Sequence, residues 1–301
     1  MRRKGKGKSE GEYKYPLRDK PAVTIAIPTA IVENIPLLEK TIKLAYVARF
    51  ATIFRVEEIH IYRDPYDNSP EENFRLIEII LRYAATPPYL KRKLFKRKRA
   101  LRYAGILPPL KTPDHQPKID LEKITRLDAY RKGLVVGFRK GGVLVDIGLD
   151  KPIIAAGRAP PGAQVSVHIV KRGKALRARI VSEEKVPLYW GFRTIGLLSL
   201  RELLNRFSNK GTLTIATSKH GQNIIEVLPK LQSAIKKNKK ILVLFGSPEH
   251  GLYQIFEKEN LSLEDSVNWV VNFVPHQGTE TIRTEEAIGI CLAIINVLKC
   301  S

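Results

Sequence analysis

Two glycine-bearing loops near the carboxyl terminus have the composition of a cofactor site. Residues 244–252 and residues 274–278 each begin with an apolar run, predicted to be a buried strand, and each ends in a loop that contains glycine. When two strands deliver glycines to one edge of a sheet, backbone amides and carbonyls line a slot, because a residue without Cβ lets the backbone approach a ligand closely. A flat, polar cofactor could bind there. A tight turn alone is the alternative explanation for Gly246 and Gly251.

Polar residues stand beside these loops. Thr217 and Ser218 end another predicted strand and would close the third side of the slot. Asn272 lies within an apolar strand, and a buried amide needs a hydrogen-bond partner. That partner is either the cofactor or a neighbouring loop. No metal site is predicted, because the six histidines show no ligand spacing.

The charge of the chain predicts a polyanionic partner. Its 301 residues carry 52 Lys+Arg against 30 Asp+Glu, a formal net charge of +22, which favours nucleic acid as the partner. No apolar run reaches the roughly 18 residues that span a bilayer, so no membrane association is expected, and the basic start is not followed by the apolar segment of a secretory signal. With only Cys291 and Cys300, no disulfide framework is expected, and a cytoplasmic location fits.

A basic block with interleaved aromatic residues is a candidate RNA-binding segment. Tyr89, Phe95 and Tyr103 stand among its cations, an arrangement suited to phosphate contacts combined with base stacking. A solvated basic helix is the alternative. The residues predicted to contact RNA here are Lys91, Arg92, Lys93, Lys96 and Arg97.

The elements that would position the loops follow an α/β pattern. Strands are predicted over residues 22–28 and 58–62, and each is followed by a predicted helix, over 35–54 and 73–84. Such alternation indicates a parallel sheet. The pattern returns after Pro187. There, helices are predicted over 200–207, 224–237 and 285–298, and strands over 211–217, 240–245 and 267–274.

Between these two halves the hydrophobic period changes to two. Five short strands within residues 133–186 predict a small barrel of OB type, inserted into the α/β domain. The predicted organisation is a disordered basic tail (1–20), one discontinuous α/β domain (21–118 and 188–301) and an RNA-binding insertion (119–187). Loop residues of the insertion predicted to bind RNA are Arg139, Lys140, Lys171 and Arg172.

Three segments together resemble the SPOUT class of RNA methyltransferases, in particular its archaeal and eukaryotic branch with an OB-like insertion. Residues 45–59 are similar to the first motif of the class, with Arg49 at the position of its arginine. Residues 244–252 are similar to the second motif. Residues 274–287 are similar to the third motif and give the most specific match. The likeness covers nearly the whole chain beyond the first twenty or so residues.

The resemblance implies a fold, an assembly and a cofactor. The fold is an α/β, SPOUT-type parallel sheet with a C-terminal trefoil knot, plus an inserted OB-like β-barrel. The assembly is a homodimer with the RNA site across its interface. The cofactor is S-adenosyl-L-methionine, which leaves as S-adenosyl-L-homocysteine. The residues expected to bind it are Thr217, Ser218, Leu244, Gly246, Gly251, Asn272, Pro275, Gln277, Gly278, Thr281 and Ile282.

Two arginines are candidate catalytic residues. Arg49 is carried on a predicted helix, and its guanidinium could hold a nucleotide phosphate or favour the deprotonated form of a uridine nitrogen or a ribose hydroxyl. Arg283 could play the same role from the third motif. A solvated helix flank is the alternative for Arg49. Glu285 is interpreted as a first-turn acid that the helix dipole favours.

These features favour an S-adenosylmethionine-dependent RNA methyltransferase that acts on structured RNA. By family likeness, ribosomal RNA is preferred over tRNA, and uridine N3 is preferred over ribose 2′-O. The alternative function is a non-catalytic RNA-binding factor in ribosome assembly that retains the cofactor fold.

Overall fold

The computed structural model describes residues 16–115 and 126–300. Its strands, numbered along the chain, are β1 (Ala22–Pro28), β2 (Val56–Tyr62), β3 (Arg126–Arg139), β4 (Gly142–Asp146), β5 (Ile153–Ala155), β6 (Gln164–Arg172), β7 (Ala175–Val181), β8 (Arg193–Leu198), β9 (Thr212–Asn223), β10 (Lys240–Leu244) and β11 (Trp269–Asn272). Its α-helices are α1 (Leu37–Ile53), α2 (Pro70–Ala85), α3 (Pro88–Leu94), α4 (Leu200–Phe207), α5 (Ile224–Lys237), α6 (Leu252–Lys258), α7 (Leu263–Ser266) and α8 (Thr284–Cys300). No helix within these residues is both long and apolar enough to cross a bilayer.

The larger sheet consists of six parallel strands in the order β11-β9-β10-β1-β2-β8. One apolar cluster joins the sheet to α1, α2, α5 and α8, and a second joins it to α4, α6 and α7. Strands covered in this way on both faces become nearly continuous apolar runs, and β1 is accordingly buried from Val23 to its end. The predicted α/β domain with a parallel sheet is confirmed.

Two strands of the larger sheet depart most from the sequence-based expectation. No strand is predicted over β8, which pairs with β2 at the edge of the sheet and contains the exposed Gly196. β9 continues past its predicted end at Thr217 to Asn223. In this continuation Gly221 lies against β11, where a Cβ would come within 2.8 Å of the Val270 carbonyl oxygen. The glycine therefore allows β9 to run on beside β11.

The insertion forms a five-stranded antiparallel sheet in the order β5-β4-β3-β6-β7. The sheet curls until its two edges meet. The backbone of Ala156, which follows β5, hydrogen-bonds to Ala178 and Ile180 of β7, each at 2.8 Å. Apolar residues such as Val145 and Val167 fill the interior. All five strands predicted in this region are present.

A buried polar contact joins the two sheets. Tyr89 of α3 donates a hydrogen bond to the Lys132 carbonyl oxygen of β3 at 2.8 Å. Lys132 Nζ lies 3.1 Å from the buried carboxylate of Asp114. Burial alone would raise the pKa of Asp114, but the Lys132 charge and hydrogen bonds from His115 and Thr112 hold it below its usual range. The carboxylate therefore stays ionised and pairs with the insertion.

Residues 16–20 pack against the domain of the larger sheet. Asp19 forms ion pairs with Arg55 at 2.7 Å and with Lys299 at 2.6 Å. Within the tail predicted over residues 1–20, one carboxylate thus links this stretch to two cations. The rest of the predicted tail, and the predicted boundary at residue 118, lie outside the described residues.

Candidate functional site

A cavity of about 670 Å³ opens at the carboxyl ends of β10 and β11, beside the part of β9 that runs past the end of β10. Because these strands are parallel and adjoin one another, the segments that leave β10 and β11 meet there at one edge of the sheet. The lining comes from residues 217–220 of β9, residues 245–251 after β10 and residues 273–282 after β11, and α6 and α8 complete it. The volume lies within the range of roughly 300–1,000 Å³ that is typical of small-molecule sites.

The loop after β10 is fixed by hydrogen bonds from β2 and α8. Tyr62 donates its hydroxyl to the Phe245 carbonyl oxygen at 2.7 Å, and Thr284 donates to the Gly246 carbonyl oxygen at 3.0 Å. A Cβ on Gly246 would lie only 3.0 Å from the His250 carbonyl oxygen. The tight turn, one of the two explanations considered for this glycine, therefore accounts for Gly246.

Gly251 and Gly278 are not required by packing. An ideal Cβ at either position meets no atom within 4 Å, and neither residue has a left-handed backbone. Gly251 lines the cavity, and Gly278 follows the lining residue Gln277. A side chain at either position would extend into open space. Gly251 is also the N-cap of α6, where glycine is favoured.

The residues predicted to close the third side lie where β9 passes the end of β10. Thr217 Oγ1 donates to the Leu244 carbonyl oxygen at 3.0 Å, and Ser218 lines the cavity beside it. The Leu244 side chain is buried in the sheet. Asn272 Nδ2 donates to the Lys219 carbonyl oxygen at 3.0 Å, and its Oδ1 accepts a backbone N–H of the loop after β11 at 3.0 Å. Within the chain, β9 and the loop after β11 thus satisfy the amide, and Asn272 also lines the cavity.

The loop after β11 is held in shape by Gln277. Its Nε2 donates to the carbonyl oxygens of Thr279 and Glu280, at 2.8 and 3.0 Å. Of the residues predicted to bind cofactor from this loop, those that line the cavity are Gln277, Thr281 and Ile282, and those that do not are Pro275 and Gly278.

α8 contributes lining residues that the sequence patterns did not identify. Thr284, Ala287 and Cys291 line the cavity, and their spacing places them on one face of the helix. That spacing is the signal from which they could have been predicted. Burial raises the pKa of the Cys291 thiol, which is therefore neutral. Among the described residues, no group of three or more His, Cys, Asp or Glu could hold a metal ion.

Neither candidate catalytic arginine lines the cavity. Arg49 lies on α1, and its guanidinium donates to the Pro109 carbonyl oxygen at 3.1 Å. Arg283 is exposed, and its backbone N–H donates to the Glu286 carboxylate at 2.9 Å. Glu285 is buried in the first turn of α8. One chain thus brings most of the predicted cofactor residues together but leaves Arg49 apart from them.

The basic block is divided between tethered and exposed cations. Lys91 Nζ lies 4.4 Å from the centre of the Tyr83 ring, and burial lowers its pKa. Lys93 forms an ion pair with Asp146 of the insertion. The exposed members of the block's predicted RNA-binding set are Arg92, Lys93, Lys96 and Arg97, and Lys93 alone among these four has an ion pair within the described residues.

The predicted RNA-binding residues of the insertion lie at opposite ends of β3. Arg139 and Lys140 stand at the turn into β4. Lys171 and Arg172 end β6, and Arg172 pairs with Arg126 at the start of β3. Because a strand rises about 3.3 Å per residue, a single ligand that contacts both ends must extend along the sheet.

Comparison with known proteins places the chain among RNA-modifying enzymes. A family model described as "Putative RNA methyltransferase" matches residues 22–295. An uncharacterized protein of Halobacterium salinarum is 32% identical over 292 residues, covering 88% of this chain and 95% of that protein. A 28S rRNA (uridine-N(3))-methyltransferase of Mus musculus is 30% identical over 91% of this chain and 75% of its own length. The protein of the same name from Homo sapiens is 30% identical over 91% of this chain and 77% of its own length.

Proposed function

Since the chain belongs to this family of SPOUT-type RNA methyltransferases, and is therefore an RNA methyltransferase, we propose that it methylates ribosomal RNA with S-adenosyl-L-methionine as the donor. The observation that supports the donor site is that residues 217–220 of β9 and the loops after β10 and β11 converge around one cavity. The names of the mouse and human relatives, both 28S rRNA methyltransferases, support ribosomal RNA as the substrate.

The cavity fits a donor that contains a flat base and a polar amino-acid part. Gly251 and Gly278, where no protein atom opposes a Cβ, would let the backbone approach the adenine. Thr217 and Ser218 would border the ligand on the third side. When bound, the donor supplies a methyl group on a sulfonium that is already activated for transfer. The residues of the chain therefore contribute mainly by holding donor and acceptor in line.

The proposed acceptor is uridine N3, in keeping with the names of the relatives. This nitrogen carries a proton that must leave, and a neighbouring guanidinium favours the anionic form. Arg49 is the proposed source of that positive charge, with Arg283 as a second. Ribose 2′-O is the second candidate atom, because its methylation also requires loss of a proton.

A homodimer is the proposed means of bringing Arg49 to a donor site. Arg49 lies on α1 among the apolar residues Ile42, Tyr46 and Ile53, which are 41%, 53% and 50% exposed. Their spacing places all four on one side of the helix. Exposed apolar residues gathered on one surface are typical of protein interfaces. We infer that this surface packs on a second copy and directs Arg49 toward the donor cavity of the partner.

The finer features of the fold are also proposals. A C-terminal trefoil knot is proposed from the resemblance of residues 244–252 and 274–287 to the second and third motifs of the SPOUT class. The closed cyclic order β3-β4-β5-β7-β6 supports an OB-like barrel. We place the domain boundaries near residues 118 and 187. We also propose a cytoplasmic location, because the two free cysteines suit a reducing compartment.

Calorimetry with S-adenosyl-L-methionine tests the donor site. The wild-type protein is expected to bind the donor. Gly278→Leu is expected to abolish binding at unchanged melting temperature, because its side chain meets open space rather than protein atoms. Gly105→Leu is the matched control, since a Cβ there also meets nothing within 4 Å and Gly105 adjoins no lining residue, whereas Gly278 follows the lining residue Gln277. Absence of binding by the wild type contradicts the donor, and normal binding by Gly278→Leu contradicts the placement of the site.

The acceptor is tested separately. Ribosomal RNA incubated with the protein and donor is digested to nucleosides and examined by mass spectrometry. New 3-methyluridine is the expected product. A 2′-O-methylated nucleoside supports the second atom instead, and no new methylation contradicts enzymatic action on this RNA.

The second candidate function is a ribosome-assembly factor that binds RNA without catalysis. The observation that favours it is that neither Arg49 nor Arg283 lines the cavity of its own chain. Tight RNA binding with no calorimetric heat from the donor would support this function.

A further inference from the structure

Phe138 is an aromatic residue that the structure leaves in solvent. It lies near the end of β3, one position before Arg139, and 66% of its surface is exposed. Burying an aromatic ring removes a large apolar area from water, so an exposed ring on a folded strand has no evident role in stability. The neighbouring apolar residue Val143, its partner across the β3–β4 hairpin, is buried in the core of the insertion.

The ring is held on a rigid support. The hairpin that carries Phe138 packs so closely on the strand beside it that a Cβ on Gly142 would lie 2.2 Å from the Ala155 carbonyl oxygen. Phe138 lines a cavity of about 560 Å³ with Arg158 and Pro160, which follow β5. A flat group placed in this cavity would therefore meet the Phe138 ring on a closely packed hairpin.

The charge around the ring is positive. Arg139, Lys140 and Arg158 are exposed and adjoin this cavity or the turn beside it. Within residues 16–115 and 126–300, no ion-pair partner is found for any of the three. The cavity lining contains no Asp or Glu. An aromatic face surrounded by unpaired cations matches the chemistry of a nucleotide, with a flat base and an anionic phosphate.

We propose that Phe138 stacks on an unpaired base of single-stranded RNA while Arg139, Lys140 and Arg158 contact the flanking phosphates. This inference rests on the proposed function, because it identifies the RNA as a segment with at least one unpaired base. Single-stranded RNA is favoured over a duplex because bases stacked inside a helix do not offer a free face.

Binding of a short fluorescent oligouridylate to the full-length protein, followed by anisotropy, tests the proposal. Phe138→Ala is expected to weaken binding by roughly 5- to 100-fold, the range for loss of one stacking contact, with an unchanged dependence on salt. Arg158→Gln is expected to flatten the slope of log affinity against log salt by about 0.7, since one phosphate contact is lost. Phe138→Trp is expected to retain binding, because it preserves the aromatic face.

Leu176→Ala provides the matched control. Leu176 is 40% exposed on β7 of the same sheet, and it pairs with Lys171, at the other end from the β3–β4 turn. This variant is expected to bind like the wild type. Affinity of Phe138→Ala within twofold of the wild type would overturn the proposal, as would an equal loss in Leu176→Ala or no binding by the wild type. The experiment measures RNA binding, so its outcome does not depend on methyl transfer. Absence of methyl transfer would refute the proposed function but would not change these binding results.

Discussion

Gly246 and Gly251 lie in one loop, yet different physical requirements select glycine at the two positions. At Gly246 the His250 carbonyl oxygen and the Leu252 nitrogen stand 3.0 and 3.2 Å from where a Cβ would be. At Gly251 nothing of the protein stands within 4 Å. The sequence pattern predicts a slot in which both glycines have the same role. It cannot separate them, because it gives no distance from either glycine to the neighbouring atoms.

This difference leads to a pair of opposed predictions. Gly246→Ala should lower the free energy of unfolding by about 1–3 kcal/mol, because backbone atoms must move to accept the methyl group. Gly251→Ala should lower that free energy by at most about 1 kcal/mol, the cost of alanine at the N-cap of α6, but weaken donor binding. Urea unfolding and calorimetry measure the two effects. A stable Gly246→Ala variant, or unimpaired donor binding by Gly251→Ala, would contradict the assignment.

Glu58 predicts a pH dependence of stability. The His60 ring, 3.0 Å away, and Arg193 hold the pKa of Glu58 at about 2, below its ordinary 4.5. A carboxyl whose pKa is depressed by folding stabilises the protein fully above its unfolded pKa and loses that contribution as pH falls toward the folded value. Glu58→Gln should therefore lower the melting temperature at pH 7 by roughly 2–4 °C, and the deficit should shrink between pH 4.5 and 3. The exposed Glu72→Gln is the control, and a deficit that does not change with pH would refute the linkage.

At the scale of elements, the sequence pattern predicts the bounds of those helices whose ends depend on neighbouring residues. α4 and α5 are observed at their predicted bounds, since each has an apolar face at helical spacing and an N-cap side chain that accepts from its first turn. The convergence of the cavity loops also follows from sequence, because carboxyl ends of parallel strands share an edge. The separation of Arg49 from the cavity does not, because the packing of α1 and the contact with Pro109 decide it.

The continuation of β9 beside β11 gives a prediction at this scale. Gly221→Ala should lower the free energy of unfolding by about 1–3 kcal/mol, since the methyl group would meet backbone atoms of Val270 and Val271 at 2.8 Å. Displacing β9 also moves Lys219, whose carbonyl oxygen holds Asn272, so donor affinity should fall as well. Gly105→Ala is the control. If the variant loses stability but keeps its donor affinity, the contact between β9 and β11 does not shape the donor cavity.

At the scale of the whole molecule, the proposed parts of the reaction centre lie in two places. The donor cavity lies at one edge of the larger sheet, and Arg49 points from α1 to the connector at Pro109. The exposed apolar residues around Arg49 place it on the surface that we propose to form the dimer. In a symmetric dimer each interface residue of one copy faces the other copy, so two complete sites would form from two incomplete ones.

Complementation between two inactive variants tests this arrangement. Arg49→Ala should retain donor binding and lose methyl transfer, whereas Gly278→Leu should lose donor binding. If Arg49 acts across the interface, a mixed dimer contains one site with an intact cavity and an intact Arg49, from different copies. Random mixing of equal amounts should then restore about a quarter of the sites, measured as methyl transfer after exchange of subunits. If Arg49 acts within its own chain, every site in the mixture lacks one component and no activity returns.

The control is each variant mixed with itself. Tagged subunits verify that subunits have exchanged. If the mixture of the two variants is then inactive, Arg49 acts within its own chain or has no catalytic role.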